Sequence, residues 1–279
     1  MSYSSIATVL HDPNAGTDAL DFAIGAARLW SAHLHVVCTG VDSTDPGFYY
    51  AGAQAIAVQQ NLEMAQDTAN DLEAIAKGKL QGEDIDWDVE VVTTMTNGLV
   101  PFLTGQIRYA DLVVLPLPYG AGCNQVDVLT FEACLFDADV PVLAVPKGSS
   151  WNSNPERVLI AWNDGAEALA AAKAALPLAA TASRTDVCVI DPPVHGSDRS
   201  DPGGRLAQLL ARAGADVEIS VSARQGPDIA QQLLRKAWEI GADVLVMGGY
   251  GHSRLREAVL GGVTRSMLRE ATLPVLLAR

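Results

Sequence analysis

The sequence predicts an α/β protein built from two tandem, doubly wound, mainly parallel five-stranded sheets flanked by helices. Three observations carry this prediction. The chain repeats itself, short apolar runs alternate with helical patterns, and several runs lack the polar alternation of a strand with one wet face. Length and composition agree: 279 residues, 49% hydrophobic and 19% charged, suffice for two domains of about 125–150 residues.

The repeat is legible residue by residue. Ala110-Asp111-Leu112-Val113-Val114-Leu115 returns as Ala242-Asp243-Val244-Leu245-Val246-Met247, an offset of 132. Val140-Pro141-Val142-Leu143-Ala144-Val145 returns as Leu273-Pro274-Val275-Leu276-Leu277-Ala278, an offset of 133. Near the two starts, Ala7-Thr8-Val9-Leu10-His11-Asp12 aligns with Val158-Leu159-Ile160-Ala161-Trp162-Asn163, an offset of 151. The falling offset leaves about 19 extra residues in the first copy. They are assigned to residues 49–80, whose Ala, Gln, Glu and Leu content favours helix. A further strand is expected at residues 89–92, with Asp84, Asp86 and Asp88 leading into it as a solvated face. Between the copies, Lys147-Gly148-Ser149-Ser150-Trp151-Asn152-Ser153-Asn154-Pro155 reads as a polar linker with turn residues. The domains are therefore expected at 1–148 and 155–279.

In the second copy, strands are predicted at residues 158–161, 187–190, 217–221, 244–247 and 275–277. Leu206, Leu209, Leu210 and Ala213 form one buried helical stripe, and Ile229, Leu233, Ala237 and Ile240 another. A last helix is expected over 263–270. Strand–helix alternation implies parallel strands joined by right-handed crossovers. In such open sheets, ligands sit beyond the C-terminal strand ends, where the strand order reverses.

Charge is uneven. The formal net charge is −14; residues 1–150 hold 5 Lys+Arg against 19 Asp+Glu, whereas residues 151–279 hold 14 of each. This field disfavours nucleic acid as a partner and directs any anionic ligand to the second half. The most apolar stretch, residues 168–182, is interrupted by Lys173 and Pro177, so no membrane span is expected. Residues 1–5 lack the basic start of an export signal, and Cys38, Cys123, Cys134 and Cys188 show no CxxC spacing. Reduced core thiols and a cytoplasmic location are expected.

The most informative segment is Met247-Gly248-Gly249-Tyr250-Gly251-His252-Ser253-Arg254, followed by Leu260-Gly261-Gly262-Val263-Thr264-Arg265. Glycines let a ligand approach the backbone closely. Gly261-Gly262 opening a helix would offer free N–H groups and the positive end of the helix dipole, a cradle for phosphate.

On these residues the chain resembles the universal stress protein family. The family's G-x2-G-x9-G pattern is matched by Gly248, Gly251 and Gly261, with Leu260, Val263-Thr264 and Pro274-Val275 as similar flanks. The resemblance covers both halves, strongly in the second. It implies an adenine nucleotide alpha hydrolase-like fold whose two domains pack as an intramolecular pseudo-dimer. It also implies that the second domain binds ATP, ADP or AMP, with or without Mg²⁺. Gly248, Gly251, Gly261 and Gly262 would hold phosphates, with His252, Val263 and Thr264 beside them. Asn163 takes the position, usually Asp, that contacts adenine, with Asp164 adjacent, and Val189 would contact the base through its backbone. Gly262 stands where the family has Ser or Thr, so a hydroxyl near the terminal phosphates is missing. In the first copy, Pro116 and Tyr119 replace the first two glycines, and Asp127-Val128 replaces Gly261-Gly262. Pro116 and Pro118 remove N–H donors, and Asp127 puts a carboxylate where a phosphate would lie. The first domain is therefore expected to be a structural or regulatory partner.

No G-x4-G-K-[ST], no GxGxxG after the first strand and no G-x-S-x-G occurs. The five histidines are dispersed, with His33 and His35 alternating onto one face. The expectation is a nucleotide-binding protein of stress signalling or protection with no catalytic residues. The alternatives are an interaction module acting through the acidic half, and a slow Mg²⁺-dependent ATPase. A homodimer is left open.

Overall fold

The computed structural model describes residues 2–15, 17–42, 54–192, 201–249 and 262–279. The chain divides into two compact units, Tyr3–Val140 and Pro141–Arg279.

The first unit runs β1 (Ser5–Leu10), α1 (Asp18–Trp30), β2 (His33–Asp42), α2 (Gln54–Leu80), β3 (Trp87–Met95), α3 (Thr96–Ile107), β4 (Leu112–Pro116) and α4 (Gln125–Glu132). A π-helical turn, Ala133–Asp137, continues α4. The strands lie in the order β3-β2-β1-β4, all parallel. The inner face of α1 buries Leu20, Phe22, Ala23 and Ile24. The predicted extra helix is α2, 27 residues long against 9 in its counterpart of the second unit, α7 (Gly204–Arg212). It lies directly on β2 because Gly40 has no side chain; a Cβ there would meet the Ala65 carbonyl oxygen at 1.8 Å.

The second unit runs β5 (Val142–Val145), β6 (Arg157–Trp162), α5 (Ala166–Ala174), α6 (Leu176–Thr181), β7 (Arg184–Ile190), α7, β8 (Val217–Ser222), α8 (Ile229–Ile240), β9 (Val244–Gly248), α9 (Gly262–Glu270) and β10 (Val275–Ala278). Its strand order is β5-β10-β9-β6-β7-β8. The strands are parallel except for β5, which pairs antiparallel with β10. The sequence repeat counts β5 as the last strand of the first copy; its hydrogen bonds to β10 and its contacts group it with the second unit. The doubly wound, mainly parallel α/β class is as the sequence predicts.

Sheet register corrects one alignment. Ile6 pairs with Leu112, and Val158 pairs with Val244. Because Leu112 and Val244 are related by 132, Ile6 corresponds to Val158, an offset of 152 rather than 151. Two featureless apolar runs hide such a slip. The same offset relates the two strand starts, each held by a carboxylate cap, Asp111 in one unit and Asp243 in the other. Asp111 Oδ2 accepts the N–H groups of Ser4 and Ser5 at 2.7 and 3.1 Å. Asp243 Oδ2 accepts those of Glu156 and Arg157 at 2.8 and 2.9 Å. His11, not Asp12, is therefore the strand-end counterpart of Asn163.

Candidate functional site

In the second unit the chain leaves β6 for β7 and β8, then crosses to β9 on the other side of β6. The order reverses between β6 and β9, which is where open α/β sheets bind ligands. Asn163 follows β6 directly, Gly248 is the last residue of β9, and Val189 lies near the end of β7. Three residues distant in sequence are thus brought to the C-terminal ends of three adjacent strands.

Asn163 is exposed, and its Oδ1 accepts the Gly165 N–H at 3.0 Å. This Asx turn swings the chain into α5, helped by Asp164 at φ 60°, a left-handed conformation that Asp tolerates. The Asn163 amide NH₂ keeps its donors without a partner among the described residues. Val189 sits in the sheet between Trp162 and Val221. Its side chain is buried beneath Gly203 at φ 89°, where a Cβ would lie 3.5 Å from Val189 Cγ2.

Gly248 carries a demand of its own. A Cβ there would fall 2.6 Å from the Ala168 nitrogen and 2.8 Å from the Glu167 carbonyl carbon, both backbone atoms of α5. The first glycine therefore lets α5 start against the end of β9. Gly249 N–H donates to the Ala278 carbonyl at 2.8 Å and ties this end to β10. Gly251, His252 and Gly261 lie outside the described residues. Gly262 opens α9, is exposed, and has nothing within 4 Å of where a Cβ would stand. Val263 is half-buried, whereas Thr264 is buried on the core side of α9 with Met267 and Leu268.

The first unit reverses its order between β1 and β4, and its crevice holds two residues that nothing in the sequence pairs. His11 follows β1, and its Nε2 lies 3.1 Å from Asp127 Oδ1; the two side chains are 7% and 9% exposed. Asp127 sits in the first turn of α4 and forms a capping box with Asn124. Burial works against its charge, but the His11 bond and the Asn124 backbone N–H outweigh it and hold the carboxyl below its usual range. Nearby, Cys123 Sγ donates to the Leu117 carbonyl at 3.5 Å, and burial together with Asp127 pushes its thiol up. The position of Asp127 is legible in the sequence as a carboxylate replacing glycine; its partner, 116 residues away, is not.

His33 Nε2 and His35 Nδ1 do share one face, bonding separate oxygens of Asp88 on β3 at 2.6 and 2.8 Å. Among the described residues, no three His, Cys, Asp or Glu side chains form a group that would hold a metal ion. No helix among them is long and apolar enough to cross a membrane.

Fold and strand-end geometry together define a pair of doubly wound α/β domains, each with one order reversal among its parallel strands. Residues 155–279 match the family model of the universal stress protein family. Over its whole length the chain shares the fold of a universal stress protein from Archaeoglobus fulgidus. The two are 15% identical, with 98% of each chain covered and a TM-score of 0.71. A candidate universal stress protein from Pseudomonas aeruginosa is similar at 17% identity, with 99% of this chain and 93% of that one covered and a TM-score of 0.61. No protein of curated function matches the chain.

Proposed function

We propose that the C-terminal unit binds one adenine nucleotide per chain at the β6/β9 reversal. The observation that carries this reading is the convergence of Asn163, Val189 and Gly248 on three adjacent strand ends, followed by the glycine-rich segment and the start of α9. The Asn163 NH₂ suits a purine acceptor, and its committed Oδ1 fixes the side chain's direction. Exposed Gly262 leaves the first turn of α9 open to an anion. The even charge balance of this half does not repel one. ATP, ADP and AMP all fit this description, with weak discrimination of the γ-phosphate because Gly262 brings no hydroxyl.

Nucleotide then acts as an occupancy signal. A ligand that binds only the folded state stabilises it in proportion to the logarithm of its concentration over Kd. The cell's nucleotide level would thereby be read as a change in the stability of this unit, in keeping with a role in stress response. No residue is assigned to catalysis.

The first experiment is mass spectrometry of small molecules released by denaturing freshly purified protein, with thermal shifts against ATP, ADP, AMP and Mg²⁺. One equivalent of adenine nucleotide per chain is expected. Gly261→Asp, which adds like charge beside a phosphate, is expected to weaken binding by roughly 100-fold or more and to leave the fold intact. An empty protein with no shift at millimolar nucleotide would overturn the reading in favour of an interaction module. Sustained phosphate release above one per chain would replace it with an ATPase.

A further inference from the structure

We infer that the N-terminal unit closes its own reversal point with an internal latch, His11–Asp127, so that the chain itself fills the place a ligand takes in a crevice of this kind. The inference stands on this unit alone and does not depend on nucleotide binding by the other.

Position comes first. His11 leaves β1 at the point where, by sheet register, Asn163 leaves β6. Asp127 lies in the first turn of α4, where the free N–H groups and the helix dipole favour a negative charge. Both carboxylate oxygens are used. Oδ1 takes His11 Nε2 at 3.1 Å, and Oδ2 takes the Asn124 N–H at 2.6 Å. Backbone N–H at a helix start on one side and a strand-end side chain on the other are the contacts an anionic ligand would make there. Asp127 makes them from within.

Two further features hold the latch shut. The loop from β4 to α4 is short, eight residues, 117–124. It begins beside Pro116, includes buried Pro118, and is tied back on itself by Cys123 Sγ on the Leu117 carbonyl. An external anion must therefore displace a tethered carboxylate already in place. Tethering gives that carboxylate a large effective concentration. Parting the pair would also leave a buried charge uncompensated.

Cys123 is the natural reporter. It is half-buried in the loop that leads into α4, four residues before Asp127, whereas Cys38, Cys134 and Cys188 are buried. Burial pushes the thiols of Cys38 and Cys134 up to about 12. The test is labelling of the native full-length protein with 5,5′-dithiobis(2-nitrobenzoate), with each site assigned by peptide mass. His11→Asn installs the residue that stands at the matching strand end of the other unit. Opening of the latch is expected to speed Cys123 labelling by roughly tenfold or more through local unlocking, with Cys38 and Cys134 unchanged. Electrostatics alone predicts the reverse, because an uncompensated Asp127 raises the Cys123 thiol further and slows it. Unchanged or slower labelling of Cys123 overturns the latch. If all cysteines accelerate together, the variant has lost its fold and His11→Gln, which keeps a donor toward Asp127, decides. Slow Cys123 labelling in His11→Gln supports the latch, and fast labelling confined to Cys123 overturns it.

Discussion

The two crevices are built on the same strand ends and differ in what occupies them. In the C-terminal unit, the strand ends at the reversal carry an exposed Asn163 and Gly248. In the N-terminal unit, the corresponding ends carry Pro116 and a His11–Asp127 pair whose side chains are almost wholly buried. Among the described residues, one reversal carries a buried ion pair and the other an exposed amide side chain. The caps Asp111 and Asp243, which hold the opposite ends of the strands, are the same in both. The strand starts are thus held alike in the two units, whereas the strand ends differ.

The comparison breaks most readily at Gly248. Gly248→Ala pushes a methyl group into the backbone of α5 and is expected to cost the C-terminal unit about 3 kcal/mol, since backbone cannot step aside as a side chain can. Peptide-resolved hydrogen exchange should show faster opening of β9 and α5, with β1 to β4 unaffected. Wild-type exchange in this variant would mean that the approach of α5 is not what requires glycine.

Acid sharpens the contrast in the other direction. The folded-state pKa of Asp127 lies below its unfolded value, so its contribution is complete above the ordinary carboxylate range and is lost as pH falls through the folded pKa. Asp88 behaves likewise: burial opposes its charge, but the bonds from His33 and His35 outweigh it and hold the carboxyl low. Glu132, pushed up by burial and by Asp137, works the opposite way and is relieved on acidification. On balance, opening of β1, β3 and α4, read as exchange relative to the intrinsic rate at each pH, is expected to increase on lowering the pH below the carboxylate range, and less so in Asp127→Asn, which has no such charge to lose. An identical acid response in that variant would show that Asp127 is not the group responsible.

The smallest effect is expected at Gly262. Gly262→Ser restores a hydroxyl into open space and should shift the ATP-to-AMP affinity ratio toward ATP by a few-fold, roughly the worth of one hydrogen bond. Titration calorimetry with both nucleotides reads the ratio directly.

Much of this architecture is legible in the amino-acid pattern. The stripe Ile229, Leu233, Ala237 lies on α8, and the extra residues of the first copy form the long helix α2. Strands buried on both faces announce themselves by unbroken apolar runs such as 244–247. What does not show is whatever depends on partners far along the chain. A one-residue slip between two aliphatic strands leaves no compositional trace, yet it decides whether His11 or Asp12 matches Asn163 in the repeat. A lone His and a lone Asp 116 positions apart carry no pattern that would join them. Gly248 stands where the sequence points, but close approach by a ligand and close approach by α5 leave the same mark on a sequence. The capping aspartates do have a signal, the Ala-Asp that opens both copies of the fourth strand, and only the geometry explains it.

The pairing of β5 with β10 reaches beyond either crevice. A chain divided at the linker, where the sequence repeats meet, would yield a C-terminal half stripped of residues 142–145. The strand Val275–Ala278, apolar and buried throughout, would then become a bare edge with unmet hydrogen bonds, a template for indiscriminate self-association. The boundary between the sequence repeats is therefore not a place where the two units part cleanly, because the strand that completes the second sheet is written at the end of the first repeat.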